Sequence, residues 1–153
     1  MADFADAPRA LGALRQWLTE NHFAVLKDVP GGAFNQYLVV GKEAVRVAIR
    51  ADRGDWDLTV SLDGGNTFWQ VDQLEAYLDS HPWLGAPSSD EHKTEFVRSR
   101  LDELQTRWRE DRNACAELYR LGDEWMSWRF GIPIPDGGFP RSRSSTLRQP
   151  RSD

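Results

Sequence analysis

The chain has 153 residues, a formal net charge of −5, 40% hydrophobic and 28% charged residues, and one cysteine. That composition allows one hydrophobic core but hardly two, and a lone Cys115 excludes an internal disulfide framework. No apolar run nears the roughly 20 residues of a membrane span, and the start, Met1 to Trp17, lacks the basic-then-apolar order of an export signal, so we expect a cytoplasmic protein without membrane contact.

In chain order, Pro8 to His22 predicts a helix, because Leu11, Leu14, Trp17 and Leu18 recur at spacings of three and four and Pro8 suits a first turn. From Phe23 the period drops to two. Four strands follow, Phe23–Val29, Asn35–Val40, Ala44–Arg50 and Asp55–Leu62, separated by turn residues at Pro30-Gly31-Gly32, Gly41-Lys42-Glu43 and Gly54. Connections this short cannot hold crossover helices, so the strands form an antiparallel meander. Asp72 and Glu75 match a capping box for a short helix that stops before Pro82. A long helix opens at Ser89 or Asp90 and runs to about Leu121, with Gly122 as its left-handed cap and a further short turn beyond. The expected fold is α+β: a four-stranded antiparallel meander sheet, with an N-terminal helix, a short helix and a long C-terminal helix packed on one face. We expect residues 1–130 to form a single domain. Residues 131–153, rich in Pro, Gly, Ser and Arg, read as an extended or disordered tail.

The stretch from Arg46 to Leu62 holds Arg53-Gly54-Asp55, which as an adhesion tripeptide is a chance combination out of place in a cytoplasmic chain. Its alternation reads as a hairpin. Bringing both apolar sets to one side predicts the pairs Ile49–Trp56, Val47–Leu58 and Val45–Val60, a four-residue loop from Ala51 to Gly54, and positive φ at Gly54. Arg50 then faces Asp55 on the solvated side, with Asp57 diagonal to it. Carboxylates beside arginines stay ionised, which suits steering better than proton transfer.

No catalytic motif is present, so we expect no enzyme and no cofactor. His22, His81 and His92 lie far apart without metal-ligand spacing, hence no metal. Cys115 falls on the apolar stripe of the long helix and reads as buried. That stripe, Val97, Leu101, Leu104 and Trp108, is heptad-like and is a candidate self-association seam for a homodimer. Arg107, Arg109 and Arg112 alternate with acids, so no basic stripe offers itself to nucleic acid. The acidity is concentrated in residues 1–89, which carry 12 acids against 7 bases, a distribution that favours a basic protein partner. Candidate partner-binding residues are Asp52, Arg53, Asp55, Asp57, Asp63, Trp69 and Trp83, the carboxylates for steering and the tryptophans as anchors.

The run from Glu20 to Leu62, followed by Phe68 to Leu78, resembles a group of small bacterial proteins, some of them immunity proteins of toxin–immunity pairs. The matching positions are Phe23, Val25, Phe34, Asn35, Arg50, Asp52, Arg53, Gly54, Trp56 and Trp69, and the likeness covers about residues 14–80. It implies an α+β fold and, as function, neutralisation of a cognate basic toxin through an acidic surface. It carries over no active residues. The alternative is a small acidic cytoplasmic chaperone or adaptor for a secreted client or a larger assembly; dimerisation through the long helix would favour it.

Overall fold

The computed structural model describes residues 6–31 and 34–133. Most of the tail expected at 131–153 therefore lies outside the described residues. The elements in chain order are α1 (Arg9–Glu20), β1 (Ala24–Val29), β2 (Asn35–Lys42), β3 (Val45–Asp52), β4 (Asp55–Ser61), β5 (Trp69–Gln70), α2 (Val71–Leu78), α3 (Asp90–Glu110) and α4 (Ala114–Phe130). The architecture is α+β with an antiparallel sheet, as the periodicity predicts. Two details differ: the sheet has five strands in the order β1-β2-β3-β4-β5, and α3 and α4 are separate helices. The chain divides into two compact units, residues 1–71 with 88–105, and residues 72–87 with 106–153.

The first unit contains the sheet, α1 and most of α3. On one face of the sheet Leu38, Val40, Val47, Ile49, Leu58 and Val60 are buried. Leu11, Leu14 and Leu18 of α1, and Phe96, Val97, Leu101 and Leu104 of α3, are buried in the same unit. Each such side chain stabilises the fold by about 1.5–3 kcal/mol relative to exposure. The fifth strand has only two residues, pairing Val60 with Trp69 and Thr59 with Gln70. Two residues cannot display a period, so no strand is legible there from residue order alone.

The β3–β4 register corrects the expected one. Ile49 faces Leu58, Val47 faces Val60 and Ala51 faces Trp56, a shift of two residues from the expected pairs. A shift of two preserves the face of every side chain, so hydrophobic alternation alone cannot choose between the registers. The turn chooses. Arg53 (φ 53°) and Gly54 (φ 88°) are both left-handed, giving a two-residue connection of the type whose twist matches the flanking strands. Positive φ at Gly54 was expected; at Arg53 it was not, because arginine is not a residue that announces such a turn.

The expected single long helix is two, and the break falls in the second unit. Asp111 interrupts it: its carboxylate accepts the Tyr77 hydroxyl at 2.8 Å and the Asn113 N–H at 2.9 Å, while its carbonyl accepts the Ala114 N–H at 3.3 Å. A side chain that competes for backbone donors in this way ends one helix and starts the next. The restart changes the helical phase, and Cys115, expected on the buried stripe, is exposed on α4. Gly122 lies inside α4, not at a cap; the amide of Gln73 donates to the Leu118 carbonyl at 2.7 Å, and a Cβ at residue 122 would stand 3.3 Å from that amide nitrogen. The left-handed cap is Gly131 (φ 70°), whose N–H bonds the Ser127 carbonyl at 2.8 Å. Glu124, buried, is ion-paired with Arg120, which also holds Glu117.

Candidate docking surface on the open face of the sheet

The strand registers place four cross-strand rows on the sheet face opposite the core. The first holds Ala24, Gly41, Arg46 and Ser61; the second Lys27, Val39, Ala48, Thr59 and Gln70; the third Val29, Tyr37, Arg50 and Asp57; the fourth Asn35, Asp52 and Asp55. The middle of the second row is small and apolar, and the third carries long polar side chains. Large residues beside small ones leave a depression, and a groove of about 650 Å³ runs across the strands here. Lys27, Tyr37, Arg50, Asp57, Phe68 and Gln70 are among its walls. The Lys27 ammonium stands 5.0 Å from the centre of the Tyr37 ring, and the Gln70 amide donates to Asp57 at 3.4 Å.

The fourth row forms the hairpin tip. Asp52 and Asp55 face each other directly, and both are exposed. Like charges in opposed positions destabilise a strand pair. Arg53 at the turn offsets part of this: its Nε lies 4.0 Å from Asp52, with side chains 84% and 71% exposed, and an ion pair so solvated contributes at most about 1 kcal/mol. Beside the tip is Phe34, 72% exposed. Its carbonyl accepts the Arg53 N–H at 2.8 Å, which ties the aromatic residue to the turn. Sequence reasoning matched Phe34 to the resemblance but did not count it as a site residue. The usable signal was a lone aromatic at the end of a Gly-rich turn, just before the strand's apolar alternation begins.

The other candidates are placed differently. Asp63 orders its own loop: burial raises its carboxyl, but hydrogen bonds from the Ser61 hydroxyl (2.7 Å) and the Thr67 N–H (3.0 Å) outweigh this and hold it below the usual carboxylate value. Trp69 is 4% exposed, on the core face opposite Val60. Trp83 belongs to the second unit, half-buried and stacked on Trp125 with ring centres 5.1 Å apart, while Phe130 meets Trp125 edge-on at 6.1 Å. Val97, Leu101 and Leu104 are buried within the chain's own fold and Trp108 is half-buried, so this stripe is largely covered already. Within the first unit the structure thus brings together Asp52, Arg53, Asp55 and Asp57, and leaves Asp63 and Trp69 elsewhere.

The outer edge of β1 is the other exposed feature of the sheet. Among the described residues β1 pairs only with β2. Leu26 forms a bulge, Lys27 lies at the middle of the strand, and Asp28 falls on the core face. Bulges, lysines and inward-pointing charges are the devices by which edges resist pairing with another strand.

A second cleft in the first unit, of about 220 Å³, lies between the end of α1, the β2–β3 turn and α3. Lys42, Glu43, Arg98 and Asp102 mix both signs of charge around Trp17 and Phe23, and the Lys42 ammonium is engaged with the Asn21 carbonyl at 3.1 Å. Among the described residues there is no group of three or more His, Cys, Asp or Glu able to hold a metal ion, and no helix is long and apolar enough to cross a membrane. No family model, curated protein or solved structure matches the chain.

Proposed function

We propose that the protein acts by binding another protein through the hairpin tip of its sheet, most concretely as an immunity protein that neutralises a cognate basic toxin in the cytoplasm. The observation that carries this is the pairing of an exposed aromatic, Phe34, with the opposed carboxylates of Asp52 and Asp55. Exposed aromatics anchor interfaces, and uncompensated charge speeds encounter with a partner of opposite sign. The arrangement is a poor one for the isolated fold, since it sets two carboxylates against each other and leaves a ring in water. A basic partner relieves both.

The test is capture of the partner on the immobilised protein, followed by kinetics and a growth assay. In the expected outcome the captured protein is basic, its expression arrests growth, and co-expression of this chain restores it. Asp52→Asn and Asp55→Asn slow association, and the slowing fades as salt rises. Phe34→Ala speeds dissociation, with an affinity loss of about 2 kcal/mol if the ring is an interface anchor. A captured partner that is harmless, or whose binding ignores all three substitutions, sinks the reading.

A further inference from the structure

The groove on the open face carries a charge pattern that the tip does not explain. Arg50 is exposed, and among the described residues neither it nor Lys27 makes an ion pair within 4.0 Å. Asp57, which the register places opposite Arg50, is engaged by Gln70. The groove therefore carries two cations and one carboxylate, a net positive charge, next to a tip whose opposed pair is acidic. Its apolar surface comes from Val29, Tyr37 and Phe68. From β1 to β5 the sheet spans about 19 Å at the usual strand spacing, the length of about six extended residues.

We propose that this groove is a binding site for an extended acidic peptide segment of a partner protein, its carboxylate held by Arg50 and Lys27 and its apolar side chain laid on Val29 and Phe68. Arg50 supplies a planar fork that suits a carboxylate, and Lys27, above the Tyr37 ring, supplies a second donor from the edge strand β1, across β2. The segment crosses the strands and does not extend the sheet, because the edge of β1 resists pairing while the groove floor is open. Tip and groove together make a surface with two poles, which fixes the direction in which a partner lies on it. The proposal goes beyond the toxin reading and does not need it.

The experiment is a backbone-amide NMR titration of the full chain with the blocked peptide acetyl-Val-Glu-Phe-Glu-Val-amide, alongside the same peptide with Gln for both Glu, and free glutamate. The expected result is saturable shifts at Lys27, Tyr37, Arg50 and Gln70 with the acidic peptide. The Gln peptide binds at least about tenfold more weakly, as does the acidic peptide to Arg50→Gln or Lys27→Gln; both residues are exposed, and circular dichroism checks that the variants are folded. Asp55→Asn leaves the peptide affinity equal or slightly higher. That separates the groove from the tip, since failure of either reading leaves the other's measurements intact. No saturable shift up to about 5 mM peptide, equal binding of the Gln peptide, equal shifts from free glutamate, or shifts confined to β1 and insensitive to Arg50→Gln would each overturn the proposal.

Discussion

Asp55→Asn should stabilise the protein, and the gain should be erased by salt. Asp55 faces Asp52 across the β3–β4 pair, which puts the carboxylates about 6 Å apart. In water two unit charges at that distance repel by about 0.7 kcal/mol. Screening lowers this to about 0.6 kcal/mol at 10 mM salt, about 0.3 kcal/mol at 150 mM and near 0.1 kcal/mol at 1 M. Asp52→Asn removes the same repulsion but also the attraction to Arg53, whose Nε lies 4.0 Å from Asp52, so its net effect should be near zero. In the Asp52→Asn background Asp55→Asn should then give little further gain. Urea midpoints at the three salt concentrations, read at constant m, resolve these differences. A loss of stability in Asp55→Asn, or a gain that persists at 1 M salt, would mean that the two carboxylates do not face each other as the register places them. The tip would then hold no unfavourable charge pair for a partner to relieve.

Three further outcomes follow from single side chains. Trp69→Ala should cost about 3–5 kcal/mol in urea unfolding, as expected for a large core side chain, while leaving association rates with any tip-bound partner unchanged, since Trp69 is 4% exposed on the core face. Gln36 is fully buried, with neither amide atom hydrogen-bonded; Gln36→Met should raise stability by about 1–3 kcal/mol, and an unchanged or lower midpoint would show that the amide is satisfied after all. The Asp111–Tyr77 contact predicts opposite limbs of a pH–stability profile. Tyr77 is held well above its ordinary value by burial and by the hydrogen bond and charge of Asp111, so its contribution is present below the unfolded tyrosine value, about 10, and is lost as pH rises toward the folded one. Asp111 is held below the usual carboxylate range by the Tyr77 hydroxyl and the Asn113 N–H. Its contribution is present above the unfolded carboxylate value, about 3.9, and is lost as pH falls through the folded one. Asp111→Asn should flatten the acid limb; an acid limb unchanged by the substitution would refute the assignment.

Whatever depends on local periodicity was readable from the order of residues. Leucines at spacings of three and four make α1, alternating Val and Ile make β2 to β4, and connections too short for a crossover force the strands to be antiparallel. Even the face on which Asp55 and Asp57 lie was legible, because face depends only on the parity of the pairing; Asp52, expected in the loop, joined that face only through the shorter turn. Tertiary structure decided what parity and period leave open. The β3–β4 register rests on the left-handed conformation of Arg53, which no preference of arginine foretells. Trp69 became core instead of anchor because two residues are too few to show a period, yet enough to pair with β4. The helix broke at Asp111 because Tyr77, 34 residues earlier, comes within 2.8 Å of its carboxylate, a contact that no local window of sequence contains. The groove has the same origin: Lys27, Arg50 and Phe68 have no common motif, and only strand pairing sets them around one hollow.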